Sequence, residues 1–282
     1  MDLLIGASLV ILGLLIGSFL NVVIYRYPQG KSIVFPSSHC PKCETALKWY
    51  HNIPLFSYIF LGGKCAFCKE KISFRYPFVE LLTAVLFLLS FLMVGFTYTL
   101  IFYIVFVILA LLIAFIDYDE KIIPNLFLLL ILINAFAYFL YNVLTIEGYD
   151  YWLHVIGFFA GFVPFWLIRL VASKYYQREA LGFGDVKYMG VIGFFLGWQK
   201  VILIVLIASL LGSIIELILI GMKKKERGEE FAFGPYLVFG SLIAMLYGDI
   251  IINFYLKLFN IGWKHESIWI YRNEIWRKHN KR

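Results

Sequence analysis

Eight apolar segments, most of them long enough to cross a bilayer, leave this chain few ways to fold. They lie at about 3–24, 77–95, 98–116, 122–143, 152–172, 186–198, 201–220 and 232–258. A helix needs roughly 20 predominantly apolar residues to cross the hydrocarbon core, where no water is present to satisfy a backbone N–H or C=O. The sixth segment is short, which points to a tilted, partly re-entrant or protein-lined helix. A further apolar stretch, Ile53 to Leu61, is too short to cross and reads as an interfacial segment. Composition agrees, at 62% apolar and 15% charged residues, against roughly 45–50% and about 25% in soluble domains. A soluble chain this apolar would expose patches incompatible with staying monomeric in water. The expected fold class is therefore an all-α polytopic membrane protein with about eight transmembrane helices.

Charge sets the expected orientation. Between Tyr25 and Pro77 lie Arg26, Lys31, Lys42, Lys48, Lys64, Lys69, Lys71 and Arg75, against Glu44 and Glu70. The positive-inside rule makes this loop cytoplasmic and puts the N-terminus outside. The later connections alternate as required: 96–97 and 144–151 carry no Lys or Arg, whereas Lys174, Arg178 and Lys187, then Lys223, Lys224, Lys225 and Arg227, mark the cytoplasmic ones. The basic tail after Phe259 goes against this pattern, since eight spans put it outside; late charges weigh less than early ones. The first segment has no positive flank before it and is long enough to span, so it reads as a helix and not a cleaved leader. The formal net charge of +7 is thus a topology signal beside anionic headgroups, with no nucleic-acid partner implied. Three small-residue pairs, Gly13-x-x-x-Gly17, Gly157-x-x-x-Gly161 and Gly193-x-x-x-Gly197, are expected to let helix backbones approach closely.

All four cysteines fall in the first loop, as Cys40-Pro-Lys-Cys43 and Cys65-Ala-Phe-Cys68. Two CxxC pairs about twenty residues apart supply four thiolates that can close a tetrahedron around Zn²⁺. Disulfides need an oxidising compartment, which a cytoplasmic loop is not. A closed Cys₄ shell leaves no open coordination position, so the expected site is structural, and His39 and His51 read as ordinary loop histidines.

Ionisable groups at membrane depth are costly and mark candidate functional sites. The third segment ends Ile116-Asp117-Tyr118-Asp119-Glu120, and the sixth begins Gly182-Phe183-Gly184-Asp185. Both fall at the cytoplasmic edge in the topology above. Two carboxyl groups within hydrogen-bond reach share a proton, so one can activate water while the other polarises a carbonyl, as in aspartic proteases. Gly182 and Gly184 would permit a tight turn and close approach of an extended substrate backbone. Asp117 and Asp119 lie about 200° apart around a helix axis, so at most one can face Asp185. Spacing alone does not choose between them.

Taken together, the motifs resemble the type IV prepilin peptidases, bifunctional leader peptidase/N-methyltransferases of bacterial pilus, type II secretion and competence systems. The resemblance rests on Gly17-Ser18-Phe19-Leu20-Asn21 with Arg26 and Pro28, Pro36 through Cys43, and Asn52-Ile53-Pro54-Leu55-Phe56-Ser57-Tyr58. It continues through Gly63 to Cys68, Arg75-Tyr76-Pro77-Phe78-Val79-Glu80, Ile116-Asp117 with Pro124-Asn125, Gly182 to Lys187 and Phe233-Gly234-Pro235. It implies Asp117 and Asp185 as the catalytic pair, and prepilins or pseudopilins as substrates in the bacterial inner membrane. It also implies S-adenosylmethionine as a methyl donor, for which Asn21, Arg75 and Glu80 are the candidate contacts. Asn125 stands where the family also carries Asp. The expected organisation is a first helix (1–24), a loop with the Cys₄ zinc subdomain (25–76), a seven-helix peptidase core (77–258) and a basic tail (259–282). A membrane scaffold docking a cytoplasmic partner and a proton-coupled transporter are the competing readings; the first leaves the aspartates unexplained, and the second expects mid-span charges.

Overall fold

The computed structural model describes residues 1–177, 181–223 and 231–259. Arg178, Lys224, Lys225, Arg227 and the basic tail from residue 260 lie outside the described residues. Helices occupy all eight expected segments. They are α1 (Asp2–Arg26), α3 (Arg75–Val94), α4 (Tyr98–Glu120), α5 (Asn125–Thr145), α6 (Trp152–Tyr176), α7 (Phe183–Leu196), α8 (Trp198–Gly221) and α9 (Gly234–Leu258), with a one-turn α2 (Phe56–Phe60) in the first loop. Among the described residues, seven of these are long and apolar enough to cross a membrane unaided. The eighth, α7, has 14 residues, about 21 Å of helix against a hydrocarbon core of about 30 Å. It is enclosed by protein, as one expected alternative had it: ten of its fourteen residues are buried, so it shows no lipid-facing stripe.

The chain divides into two compact units, residues 1–127 and 128–282. In the first, α1 packs along α3, and both contact α4. The Gly13/Gly17 pair makes this possible. A Cβ on Gly13 would stand 2.6 Å from the Cα of Ala84, and one on Gly17 would stand 2.7 Å from the Cα of Glu80. Lipid offers no hydrophobic drive for helices to associate, so such close backbone packing carries the association. Thr83 and Ser90, both fully buried on α3, donate to the carbonyls of Val79 and Leu86 one turn back and leave no orphaned hydroxyl.

In the second unit α6 lies tightly on α7, and α8 pairs with α9. Gly157 and Gly193 meet backbone to backbone, and Gly161 meets Met189; a Cβ at any of the three glycines would overlap a carbonyl of the facing helix. Tyr188 and Ser241 are fully buried. The Tyr188 hydroxyl donates to Ser241 Oγ at 3.1 Å, and Ser241 donates to Leu237 O at 2.7 Å, which ties α7 to α9.

Candidate functional site

The first loop folds into two matching knuckles offset by 25 residues. Cys40 N–H donates to Thr45 O and Cys65 N–H to Glu70 O, at 3.1 and 2.8 Å; Glu44 N–H and Lys69 N–H return to the carbonyls of Cys40 and Cys65. At the equivalent positions Glu44 and Lys69 adopt left-handed conformations, with φ of 54° and 61°. These turns reverse the chain so that both cysteines of each pair point the same way. All four Sγ atoms lie within 4.8 Å of one another, and Cys40 Sγ to Cys68 Sγ is 3.8 Å. A tetrahedral site with Zn–S bonds of about 2.3 Å has S···S edges of about 3.8 Å. The four sulfurs therefore fit a single metal ion. His39 instead bonds Ser37 O, and His51 packs edge-on against Phe67.

The electrostatics favour the same occupant. Hydrogen bonds from Thr45, through its side chain and then its backbone, pull the Cys43 thiol down to about 6. The backbones of Cys68 and Phe67 lower Cys65. Cys68 goes the other way: the Glu70 backbone draws it down, but burial and the three neighbouring thiols outweigh that and push it up to about 11. Charge accumulating among four sulfurs opposes the last ionisation, and a divalent cation removes that opposition.

Two side chains, Arg26 and Glu80, bind this loop to the helices, and a third, Asn21, joins α1 to the first turn of α3. Arg26, the last residue of α1, donates to the carbonyls of Ser32 and Pro36 at 3.1 and 2.8 Å. Asn21 donates to Gly17 O and Tyr76 O. Glu80 Oε2 accepts the Leu55 N–H at 2.8 Å, where Leu55 holds a φ of 60°, and the Ser18 hydroxyl stands beside the carboxylate. Of the three residues put forward for S-adenosylmethionine, Asn21 and Glu80 are thus buried and engaged by the protein itself. Arg75 is partly exposed and pairs with Asp119, Nη1 to Oδ2 at 2.6 Å. Asn21 and Glu80 hold the base of the loop and the first turn of α3 against α1, and Arg75 joins the start of α3 to the end of α4.

Asp117 lies in the last turn of α4 and is buried at 5% exposure. Its carbonyl accepts the N–H of Lys121, whose left-handed conformation (φ 55°) ends the helix. Asp119, on the other side of α4, faces Arg75. Asp185 is the third residue of α7 and is 8% exposed. It sits where free backbone N–H groups favour negative charge. Gly182 has ordinary extended backbone, with φ −62° and ψ 138°, so the conformational freedom expected of it is not used. It supplies room instead: a Cβ there would stand 3.1 Å from Asp185 Oδ2. Beside this turn, Arg169 Nε donates to Leu181 O, and the Arg169 and Lys187 cations lie 5.0 and 4.7 Å from the Phe183 ring centre. Sequence reasoning overlooked Arg169, although an arginine inside an apolar run was a legible signal.

Residues 11–94 match the bacterial peptidase A24 N-terminal domain, and residues 104–217 match the type IV leader peptidase family. A Pseudomonas aeruginosa protein named prepilin leader peptidase/N-methyltransferase is 34% identical over 276 residues, covering 88% of this chain and 92% of that protein. The chain belongs to the type IV leader peptidase family. A Legionella pneumophila relative of the same name is 33% identical across 86% of this chain and 91% of its own length. One from Myxococcus xanthus is 40% identical across 75% of this chain and 62% of its own. No solved structure matches. The family's N-terminal region takes in most of α1, the knuckles and all of α3, and its peptidase region runs from within α4 to within α8. The Ser241 partner of Tyr188 lies beyond both.

Proposed function

We propose that this chain hydrolyses the leader peptide bond of prepilins or pseudopilins with Asp117 and Asp185, and then N-methylates the new N-terminal residue. What supports the cleavage reading is one observation: within a leader peptidase family member, a buried carboxyl group stands at the end of α4 and another at the start of α7. Two intervening spans return the chain to the same side of the membrane, and the lysine-rich first loop assigns that side to the cytosol. In the proposed reaction the ionised carboxylate takes a proton from water as its oxygen attacks the scissile carbonyl. The protonated carboxyl donates to the carbonyl oxygen, and proton return to the leaving amine breaks the C–N bond.

The name carried by the relatives supports the methylation reading. When bound, S-adenosylmethionine supplies a methyl group on a sulfonium. This chain's part is to present a neutral N-terminal amine, with Glu80, Arg75 and Asn21, gathered where the loop meets α1 and α3, as the candidate contacts to the cofactor. Zn²⁺ on Cys40, Cys43, Cys65 and Cys68 is the structural centre of that loop.

The test is coexpression with a prepilin, followed by mass spectrometry of the pilin N-terminus. Wild type yields a cleaved, methylated N-terminus, whereas Asp117→Asn and Asp185→Asn each leave the leader attached. Wild-type cleavage by either variant, with the protein inserted in the membrane, removes the carboxylate pair from the mechanism.

A further inference from the structure

The short helix α2 is amphipathic in an unexpected sense. Its inner side carries Ser57, which accepts the Ile53 N–H and donates to Tyr50 O, and Tyr58, which donates to Ile72 O. Its outer side carries Phe56, Ile59 and Phe60, at 56, 70 and 84% exposure. These positions, i, i+3 and i+4, share one helix face. Three large apolar side chains together on one turn would be unfavourable in water by roughly 25 cal/mol for each Å² they expose.

The tether of α2 gives its depth. Leu55, immediately before α2, is held by Glu80, whose Cα lies against Gly17 of α1. Gly17 stands seven residues before Ile24, the last apolar residue of the first span, which is roughly 10 Å along a helix. The Glu80 side chain leans toward the N-terminus of α3, back toward the loop. Counted from Pro77, where the apolar run of α3 begins, Glu80 is only about 4.5 Å in, so the outer face of α2 is placed close to the apolar boundary, in the zone where interfacial helices seat their apolar faces. On α3, Phe78, Leu81 and Val85 also expose apolar side chains. A second pair, Val34 and Phe35, is 67 and 76% exposed. Arg26 and Ser32 hold it at the same end of the helix pair, with Ser32 Oγ accepting the N–H groups of both residues. Six lysines of the loop, Lys31, Lys42, Lys48, Lys64, Lys69 and Lys71, are all exposed.

We propose that α2 is a wedge seated in the bilayer interface, with Val34–Phe35 as a second apolar contact and the loop lysines on anionic headgroups, so that the thiol knuckles lie against the membrane surface. The partner is the lipid bilayer, because the wedge is apolar, lies close to the apolar boundary and belongs to a loop that exposes six lysines. The inference rests on the membrane fold and not on the peptidase reading.

A small environment-sensitive fluorescent amino acid replacing Phe60 in the full chain, reconstituted in nanodiscs, tests it. Lipids brominated near the glycerol are expected to remove at least about half of the emission, chain-end bromines distinctly less, and aqueous iodide little, as for a shallow interfacial helix. The same probe at Ile59 reproduces the pattern if the Phe60 variant misfolds. At Phe35, quenching is expected to be stronger in anionic than in neutral nanodiscs. Iodide quenching without bromolipid quenching at both 59 and 60 would overturn the proposal. So would a probe silent to lipid but shifted by an added apolar peptide or by self-association, which would make the face a protein-docking surface.

Discussion

The Arg75 guanidinium bridges to the Asp119 carboxylate at 2.6 Å and lies 5.5 Å from the Phe115 ring centre. Arg75, a candidate methyl-transfer residue, and Asp119, the rival to Asp117, are thus partners. The helical phase of α4 explains this. With Asp119 turned to the start of α3, Asp117 is on another side of the helix and is buried.

The pair is about one-third exposed on each side, so its direct contribution is at most about 1 kcal/mol. Asp119→Asn is therefore expected to retain substantial prepilin cleavage, in contrast to Asp117→Asn. Arg75→Ala is expected to do more damage, because it also removes the stem and guanidinium packed on Phe115. The double exchange Arg75→Asp with Asp119→Arg should recover part of that loss. Cleavage rates in detergent micelles check all four variants; an inactive Asp119→Asn would contradict the assignment.

Zinc should be present at about one ion per chain, and Cys43→Ser should lower it sharply, because three thiolates hold the ion less well. The sign of the pH dependence follows from Cys43. In the metal-free loop its pKa is depressed to about 6, so the stabilisation of its thiolate is present at alkaline pH and lost as pH falls through that value. Zinc holds the thiolates lower still. Metal release is expected only below about pH 6, read by metal analysis after stepwise acidification.

Gly193→Leu should separate α6 from α7. Even a Cβ at this position overlaps the Gly157 carbonyl, and overpacking a close contact typically costs about 1–3 kcal/mol. Gly221→Ala, at a position with nothing within 4 Å, should stay within about 0.5 kcal/mol of wild type. Thermal unfolding in detergent compares the two.

Glu80→Ala should release the segment at Leu55 and reduce methylation of a precleaved pilin peptide more than cleavage of the prepilin. Removing a buried acceptor from the Leu55 N–H costs about 1–3 kcal/mol. Limited proteolysis at residues 53–61 and parallel assays of the two activities measure both effects. Equal loss of both activities would mean that Glu80 supports the whole unit and not the loop in particular.

Spans, knuckles and family motifs were legible because each is a local property. Bilayer thickness dictates the length of an apolar run, and a CxxC spacing brings two thiols together through a few backbone hydrogen bonds. The pairing of Arg75 with Asp119, the hold of Glu80 on Leu55 and the lock between Tyr188 and Ser241 join residues 25 to 53 positions apart. They depend on the phase and register at which helices pack, which single-chain spacing does not encode. Span number, the Cys₄ set and the candidate aspartates thus follow from chain chemistry alone. Which face of α4 turns inward, the tether of Leu55 to α3, and the engagement of Asn21 and Glu80 by the protein itself follow from packing, because side chains with several possible partners commit only once the helices have met.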